Sequence, residues 1–280
     1  MLHGLRRPGG APFISGGKPT FRPMSSGPLL MELRGADMLV NCAGVATPGS
    51  MCSPGMYGAN ALLPVLLRET GRLAGVGRFI HVSTAAVQGD RGILDETDAL
   101  SPVTPYAASK AAAERFLLGD VDGLTIFRPV SVHGASRPIS ILLARFARSR
   151  LSSVAGSGEW PSPQVLIQNT ATAVAELATC SRCPPPIVLQ PSEGHTARSV
   201  LRVLALGHDP RHVPLTVARA TLKVTGIAQF DPRLISFRRR LQMLWFGQRQ
   251  VPGWLTSQGF SPPLRTEGWA ALAAALADQS

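Results

Sequence analysis

Lysine and tyrosine are nearly missing from this chain. In 280 residues there are three lysines (Lys18, Lys110, Lys223) and two tyrosines (Tyr57, Tyr106). The net charge of +11 therefore rests on arginine. No nucleic-acid module accompanies that charge, so it reads as coding bias and no nucleic-acid partner is expected. A basic surface does suit a phosphorylated cofactor or a nucleotide-linked substrate. Charged residues are scarce at 16% and apolar residues reach 45%, which excludes a generally disordered chain. Long apolar runs are also absent. The Ala-rich stretch from Trp269 to Leu276 is too short to cross a bilayer, so no membrane span is expected. Four cysteines without a secretory leader exclude a disulfide framework. The single CxxC, Cys180 to Cys183, lacks the second pair that a zinc site wants. No metal and a reduced, cytoplasmic protein are expected.

The first 28 residues contain no acidic residue and are rich in Gly, Pro, Ser and Arg. Prolines 8, 12, 19, 23 and 28 spoil an amphipathic transit helix. Residues 1–28 are read as an irregular segment, the remnant of something longer. From Leu29 the texture changes. Leu29 to Arg34 is a short helix signal ended by Gly35. Ala36 to Ala43 is a buried-strand run closed by Gly44. Helical spacing follows over Asn60 to Leu73, then a strand over Arg78 to Ser83, and turns over Gly89 to Thr104. Pro105 to Leu118 reads as a helix with proline in its first turn, and Leu124 to Arg128 as a strand stopped by Pro129. Strands and helices alternating at these spacings mean crossover units and a parallel sheet.

Later signals are weaker. Ile139–Leu151, Ala171–Ala178, Ala197–Leu206 and Arg233–Phe246 read as helices. Val165–Ile167 and Ile187–Leu189 read as short strands. Arg233–Phe246 is basic and amphipathic; a packed helix of a substrate lobe is favoured over a membrane-surface helix, and its arginines 238–240 read as a solvated face, over contact with a nucleotide-sugar phosphate. His208-Asp-Pro-Arg-His212 reads as a turn rather than a ligand set, because of Pro210.

The sharpest chemical signal is Tyr106-x-x-x-Lys110. Spacing four places both side chains on one helix face. With so few tyrosines and lysines, about 0.02 such pairs are expected by chance. A nearby ammonium favours tyrosinate and lowers the phenol's pKa, which makes a general acid/base. Ser83-Thr84 ends an apolar strand, where ligands gather in open α/β sheets, and its hydroxyls are placed to hold a substrate oxygen.

These residues resemble the extended short-chain dehydrogenase/reductase group, which includes NAD-dependent sugar epimerases and dehydratases. His81-Val-Ser-Thr-Ala-Ala-Val-Gln-Gly89 is similar to its strand-end segment with the catalytic hydroxyl, which the resemblance puts at Thr84, with Ser83 as the cofactor-side neighbour. Pro102-x-x-Pro-Tyr106-Ala-Ala-Ser-Lys110 resembles its catalytic helix. Arg128-Pro-Val-Ser-Val-His-Gly134 resembles its Arg-Pro segment, which implies backbone at Pro129, Val130 and Val132 beside a nicotinamide. Val40-Asn-Cys-Ala-Gly44 resembles the strand end against the adenosine half, which implies Ala43 and Gly44 as cofactor contacts. Asn60 matches a helix Asn that supports the site. The resemblance covers Leu29 to about Leu177, and Gly259-Phe-Ser-Pro-Pro263 before an Ala-rich helix fits the usual ending.

There are departures. The group opens on a strand and a Gly-rich phosphate turn, and no GxxGxxG occurs in this sequence. His3 to Gly9 can be read as the end of a second strand, with Arg6 or Arg7 at a 2′-phosphate, and Met1 as an internal start. Gln88 stands where an aromatic is common, and Asn169 where Asp is usual.

The expected fold is an α/β Rossmann-like parallel sheet flanked by helices, N-terminally incomplete, with a small mostly helical C-terminal substrate lobe. Residues 29–180 are assigned to the NAD(P)-binding and catalytic domain and 181–280 to the lobe. The resemblance implies hydride transfer between NAD or NADP and a carbinol or carbonyl carbon, of a nucleotide-sugar. Tyr106 is the acid/base, Lys110 its activator and ribose contact, and Thr84 the oxyanion-side hydroxyl; a homodimer is one assembly it allows. The alternative is a non-catalytic family member that binds no cofactor tightly.

Overall fold

A computed structural model describes residues 27–45, 52–225 and 232–278. The expectations placed on His3 to Gly9, and on residues 1–26 of the N-terminal segment, lie outside the described residues. Gly27 and Pro28 are not irregular: they open a short helix, Gly27–Leu33.

The centre is a four-stranded parallel sheet of Met38–Asn41, Arg78–Val82, Leu124–Arg128 and Ile187–Leu189, in that spatial order. Every residue of the last two strands is buried, which explains their near-continuous apolar sequence. The helix Leu63–Ala74 crosses from the first strand to the second, and Pro105–Leu117 from the second to the third. Ile167–Thr179 precedes the fourth. On one face Phe79, Leu124 and Ile126 pack on Ala113 and Leu117. On the other, Ile80, Phe127 and Val188 pack on Ala173, Leu177 and Leu255. The sheet therefore takes its fourth strand from beyond residue 181.

Helix limits follow local chemistry. Thr104 caps Pro105–Leu117 by accepting the Ala107 amide at 3.2 Å, with Pro105 in the first turn. Gly75, at φ 86°, ends Leu63–Ala74. The segment expected as one helix from Asn60 starts instead as a π-helical turn, Gly58–Leu62, and holds Asn60 fully buried. Such wide turns often accompany functional sites.

Short strand pairs lie outside the main sheet. Ser153–Ala155 pairs with Arg211–Val213, and Ser131–His133 with Gln164–Leu166, all parallel. The helix Leu215–Thr225 also lacked a clear signal. Trp245 on Pro232–Phe246 packs with Ala155 and Ala218. The closing helix, Thr266–Ala277, buries Trp269 among Val154, Leu166 and Leu201, so the chain's end is fixed into the body of the fold.

Candidate active site

The candidate residues gather at the C-terminal ends of the strands. The Arg78–Val82 strand runs into Ser83-Thr84, whose amides continue its ladder: Ser83 N–H donates to Phe127 O at 2.7 Å, and Ala85 N–H to Pro129 O at 2.8 Å. Thr84 Oγ1 accepts the Ala86 amide at 3.2 Å and lies near the Tyr106 phenol, whose pKa it lowers. Gly89 closes the segment at φ 62°, and a Cβ there would fall 1.8 Å from Ser101 O, so no other residue fits this turn.

Ser83 departs from the expected cofactor side. It is buried, and its hydroxyl donates to Glu114. Glu114 in turn forms an ion pair with Arg128, Nη2 to Oε2 at 2.6 Å, both side chains fully buried. Neither partner role was read from the sequence. Glu114 had a signal, because Tyr106, Lys110 and Glu114 are spaced four apart on one face.

Lys110 lies one turn beyond Tyr106. Its Nζ donates to Val82 O at 3.0 Å. Burial pulls its pKa down to about 8, while Glu114 and Cys42 oppose that fall. Gly44 approaches it closely: a Cβ there would lie 3.0 Å from Lys110 Nζ and 2.8 Å from Asn60 Oδ1. Asn60 binds both Val45 backbone groups, at 2.8 and 3.0 Å, and donates to Ser109 Oγ, which donates to Tyr106 O. One buried amide thus joins the Ala43-Gly44 strand end to the Tyr106 helix.

The phenol's electrostatics differ from the expectation. Burial raises the Tyr106 pKa, and the groups that draw it back are the Arg137 guanidinium and the Thr84 hydrogen bond. Arg137 was not singled out in the sequence, where it is one arginine among many. Its Nε is buried without a hydrogen-bond partner. Val130 is buried and packs, with Val132, against Ala85, Leu94, Val165 and Leu189; Pro129 is also buried.

Arg239 corrects the reading of arginines 238–240 as a solvated face. Its side chain is 12% exposed and meets Asp90 at 2.9 Å and Gly89 O at 2.6 Å. It fastens the lobe helix to the turn behind Thr84. Gln88 also has a reason: its buried amide donates to Asp95 Oδ1 at 2.8 Å and accepts from Asp95 N at 3.2 Å. Asn169 sits against a carboxylate. Its Nδ2 donates to Glu193 and to Leu264 O at 2.7 Å, and Leu264 N donates back to Oδ1 at 3.0 Å.

Two histidines lie buried and neutral. Asn41 Oδ1 takes the Ala43 amide, so its Nδ2 faces His81 Nδ1 at 3.1 Å, which must accept. The ring proton is then on Nε2. Burial, then the Lys110 charge, pulls His81 down to about 3. His133 is held by Ser131 and Ser140 at 3.0 and 3.1 Å, and burial pulls it to about 4. Both start from 6.5, so the unfolded chain binds protons first as pH falls. Stability should therefore drop by several kcal/mol from about pH 6.5 to about pH 4. Urea melts across that window test it; a flat profile contradicts two buried neutral imidazoles.

Comparison with known proteins places this geometry. The chain is 37% identical over 76 residues to a dTDP-glucose 4,6-dehydratase of Streptomyces antibioticus, covering 26% of this chain and 21% of that protein. A second dehydratase, from Actinoplanes sp., is 38% identical over 76 residues, or 22% of its length. The chain thus matches about a fifth of these curated relatives. Among solved structures, the Bacillus cereus UDP-glucuronic acid 4-epimerase with UDP-glucuronic acid and NAD aligns at TM-score 0.62 and 14% identity, over 91% of this chain and 80% of that one. MoeE5 with UDP-glucose and NAD aligns at 0.60 and 20%, over 91% and 83%. DesIV, the dTDP-glucose 4,6-dehydratase of Streptomyces venezuelae, with NAD and TYD, aligns at 0.59 and 20%, over 90% and 76%. At these identities the structures share the fold. The family model for the NAD dependent epimerase/dehydratase family matches residues 28–176, more than half the chain, and this protein belongs to that family.

Proposed function

We propose that the chain catalyses hydride transfer between NAD or NADP and a carbinol or carbonyl carbon of a nucleotide-linked sugar. The observation that carries this reading is the placement of Thr84, Tyr106 and Lys110 at the sheet's C-terminal end, where Lys110 Nζ reaches Val82 O at 3.0 Å and Tyr106 stands one helical turn before it. Thr84 holds the substrate oxygen. Tyr106 gives its proton to that oxygen or takes it back. Arg137 supplies positive charge for the phenolate form, and Lys110 stands one helical turn away.

The residues present fit the nicotinamide-ribose half of the cofactor. Gly44 offers bare backbone where a Cβ would run into Asn60 and Lys110. Lys110 Nζ, the Ala43-Gly44 backbone and the Pro129–Val132 backbone would hold it, and Asn60 would keep the strand end in place. When bound, the nicotinamide supplies the acceptor and donor of hydride. In this reading residues 29–180 carry the cofactor half and 181–280 the substrate lobe, with Ile187–Leu189 completing the sheet.

The test is turnover of UDP- and dTDP-sugars with NAD or NADP, in wild type and Thr84→Ala. Loss of the oxygen-holding hydroxyl should lower kcat by about 10²-fold. Full activity in Thr84→Ala would overturn the assignment. A second reading, a non-catalytic member without tight cofactor binding, is supported by the lack of GxxGxxG in the sequence. Cooperative melting that neither nucleotide shifts, with no turnover, favours it.

A further inference from the structure

Glu114 is the strongest unexplained group beside the candidate site. It is a fully buried carboxylate with two kinds of partner. Arg128 Nε meets its two oxygens at 3.3 and 3.2 Å, and Nη2 meets Oε2 at 2.6 Å. Ser83 Oγ donates to Oε1. Arg128 also donates to Thr97 O at 2.6 Å, which fixes the turn-rich loop below the site. A buried pair of this kind is seldom more stable than well-packed apolar residues of the same size. Stability alone therefore does not account for it, and its position does.

Ser83 and Thr84 are consecutive, and Thr84 is in extended backbone at φ −164°, ψ 143°. Holding the Ser83 hydroxyl in Glu114 fixes the rotation of the strand end, and with it the direction of the Thr84 hydroxyl. Glu114 also stands on the helix of Tyr106 and Lys110, one turn past Lys110. The carboxylate thus touches the strand that bears one reacting hydroxyl and belongs to the helix that bears the other.

We propose that Glu114, clamped by Arg128, is a positioning residue: it ties the Ser83–Thr84 strand end to the Tyr106–Lys110 helix and sets a fixed negative charge one turn below Lys110. The proposal rests on the reading that these residues form the proton-transfer site. The groups that face Lys110 are Glu114 on its own helix, Cys42 after the first strand and His81 on the second. Glu114 is the carboxylate among them, and it opposes the fall that burial imposes on Lys110.

The scarcity of lysine makes the test direct. Dimethylation with ¹³C labels three lysines, Lys110 is assigned with Lys110→Arg, and exposed Lys223 serves as the internal reference. In wild type the Lys110 resonance should titrate near pH 8. In the double variant Glu114→Gln/Arg128→Met, which leaves no buried charge unpaired, the midpoint should fall by about one pH unit. The basic limb of kcat should move with it. Ser83→Ala keeps the charge and cuts the tether, so the midpoint should stay while kcat falls about tenfold at unchanged KM, as mispositioning predicts. A folded double variant with the wild-type midpoint overturns the proposal, and so does Ser83→Ala with wild-type kcat. If Tyr106→Phe proves fully active, the catalytic reading fails, yet the Lys110 titration still decides the charge relation.

Discussion

Tyr106→Phe should lower kcat by about 10²–10⁴-fold, the usual contribution of a positioned acid/base, with little change in KM. The ring stays and the phenol oxygen goes, so packing around the helix is kept. What is lost is the proton donor of the proposed reaction and the group on which Arg137 acts. Because burial raises the phenol's pKa, the free site rests in the protonated form at neutral pH. It is ready as an acid, and the base form needs the positive charge around it. The measurement is steady-state turnover of a nucleotide-sugar with added nicotinamide nucleotide. A variant that retains half the wild-type kcat would remove Tyr106 from the chemistry.

Arg128→Met should cost about 3–5 kcal/mol of folding stability, because it strands the Glu114 carboxylate in a fully buried site. For a chain of this size that is a fall in Tm on the order of 10 °C. The partners are 2.6 Å apart and both 0% exposed, so water cannot replace the lost guanidinium without opening the sheet's end. Adding Glu114→Gln to Arg128→Met should recover much of the loss, since the two changes share one interaction. Thermal melts of wild type, single and double variants check this. A single variant within about 1 kcal/mol of wild type would mean the pair is solvated.

Much of the sheet was legible in the sequence, for a physical reason. Leu124–Arg128 and Ile187–Leu189 are buried on both faces, so their apolar runs had no competing pattern. Pro105 and Thr104 fixed the start of the catalytic helix through capping chemistry that acts locally. The short strands Ser131–His133, Ser153–Ala155 and Arg211–Val213 were not legible. Three residues hold too little periodicity, and their pairing is set by distant partners.

The site divides in the same way. Tyr106, Lys110 and Thr84 sit in recognisable local strings. Arg137 acts on Tyr106 from more than thirty positions away, and no spacing rule connects them. The Lys110–Tyr106 relation was also incomplete from spacing alone. Sharing a helix face does not say where a flexible ammonium points, and this one reaches Val82 O at 3.0 Å.

The Asn169–Glu193 contact has a consequence for how this sequence can vary. Glu193 accepts from Leu166 N at 2.8 Å, from Asn169 and from Trp269 Nε1. An aspartate at 169 would remove the donor and press a second carboxylate against the first, inside the fold. An apolar residue at 193 would leave the Asn169 amide and the Trp269 indole without their acceptor. Either change made alone carries a penalty, and the order of change is constrained. The pair is therefore epistatic: Asn169→Asp is harmful in this background and becomes tolerable only after Glu193 has changed.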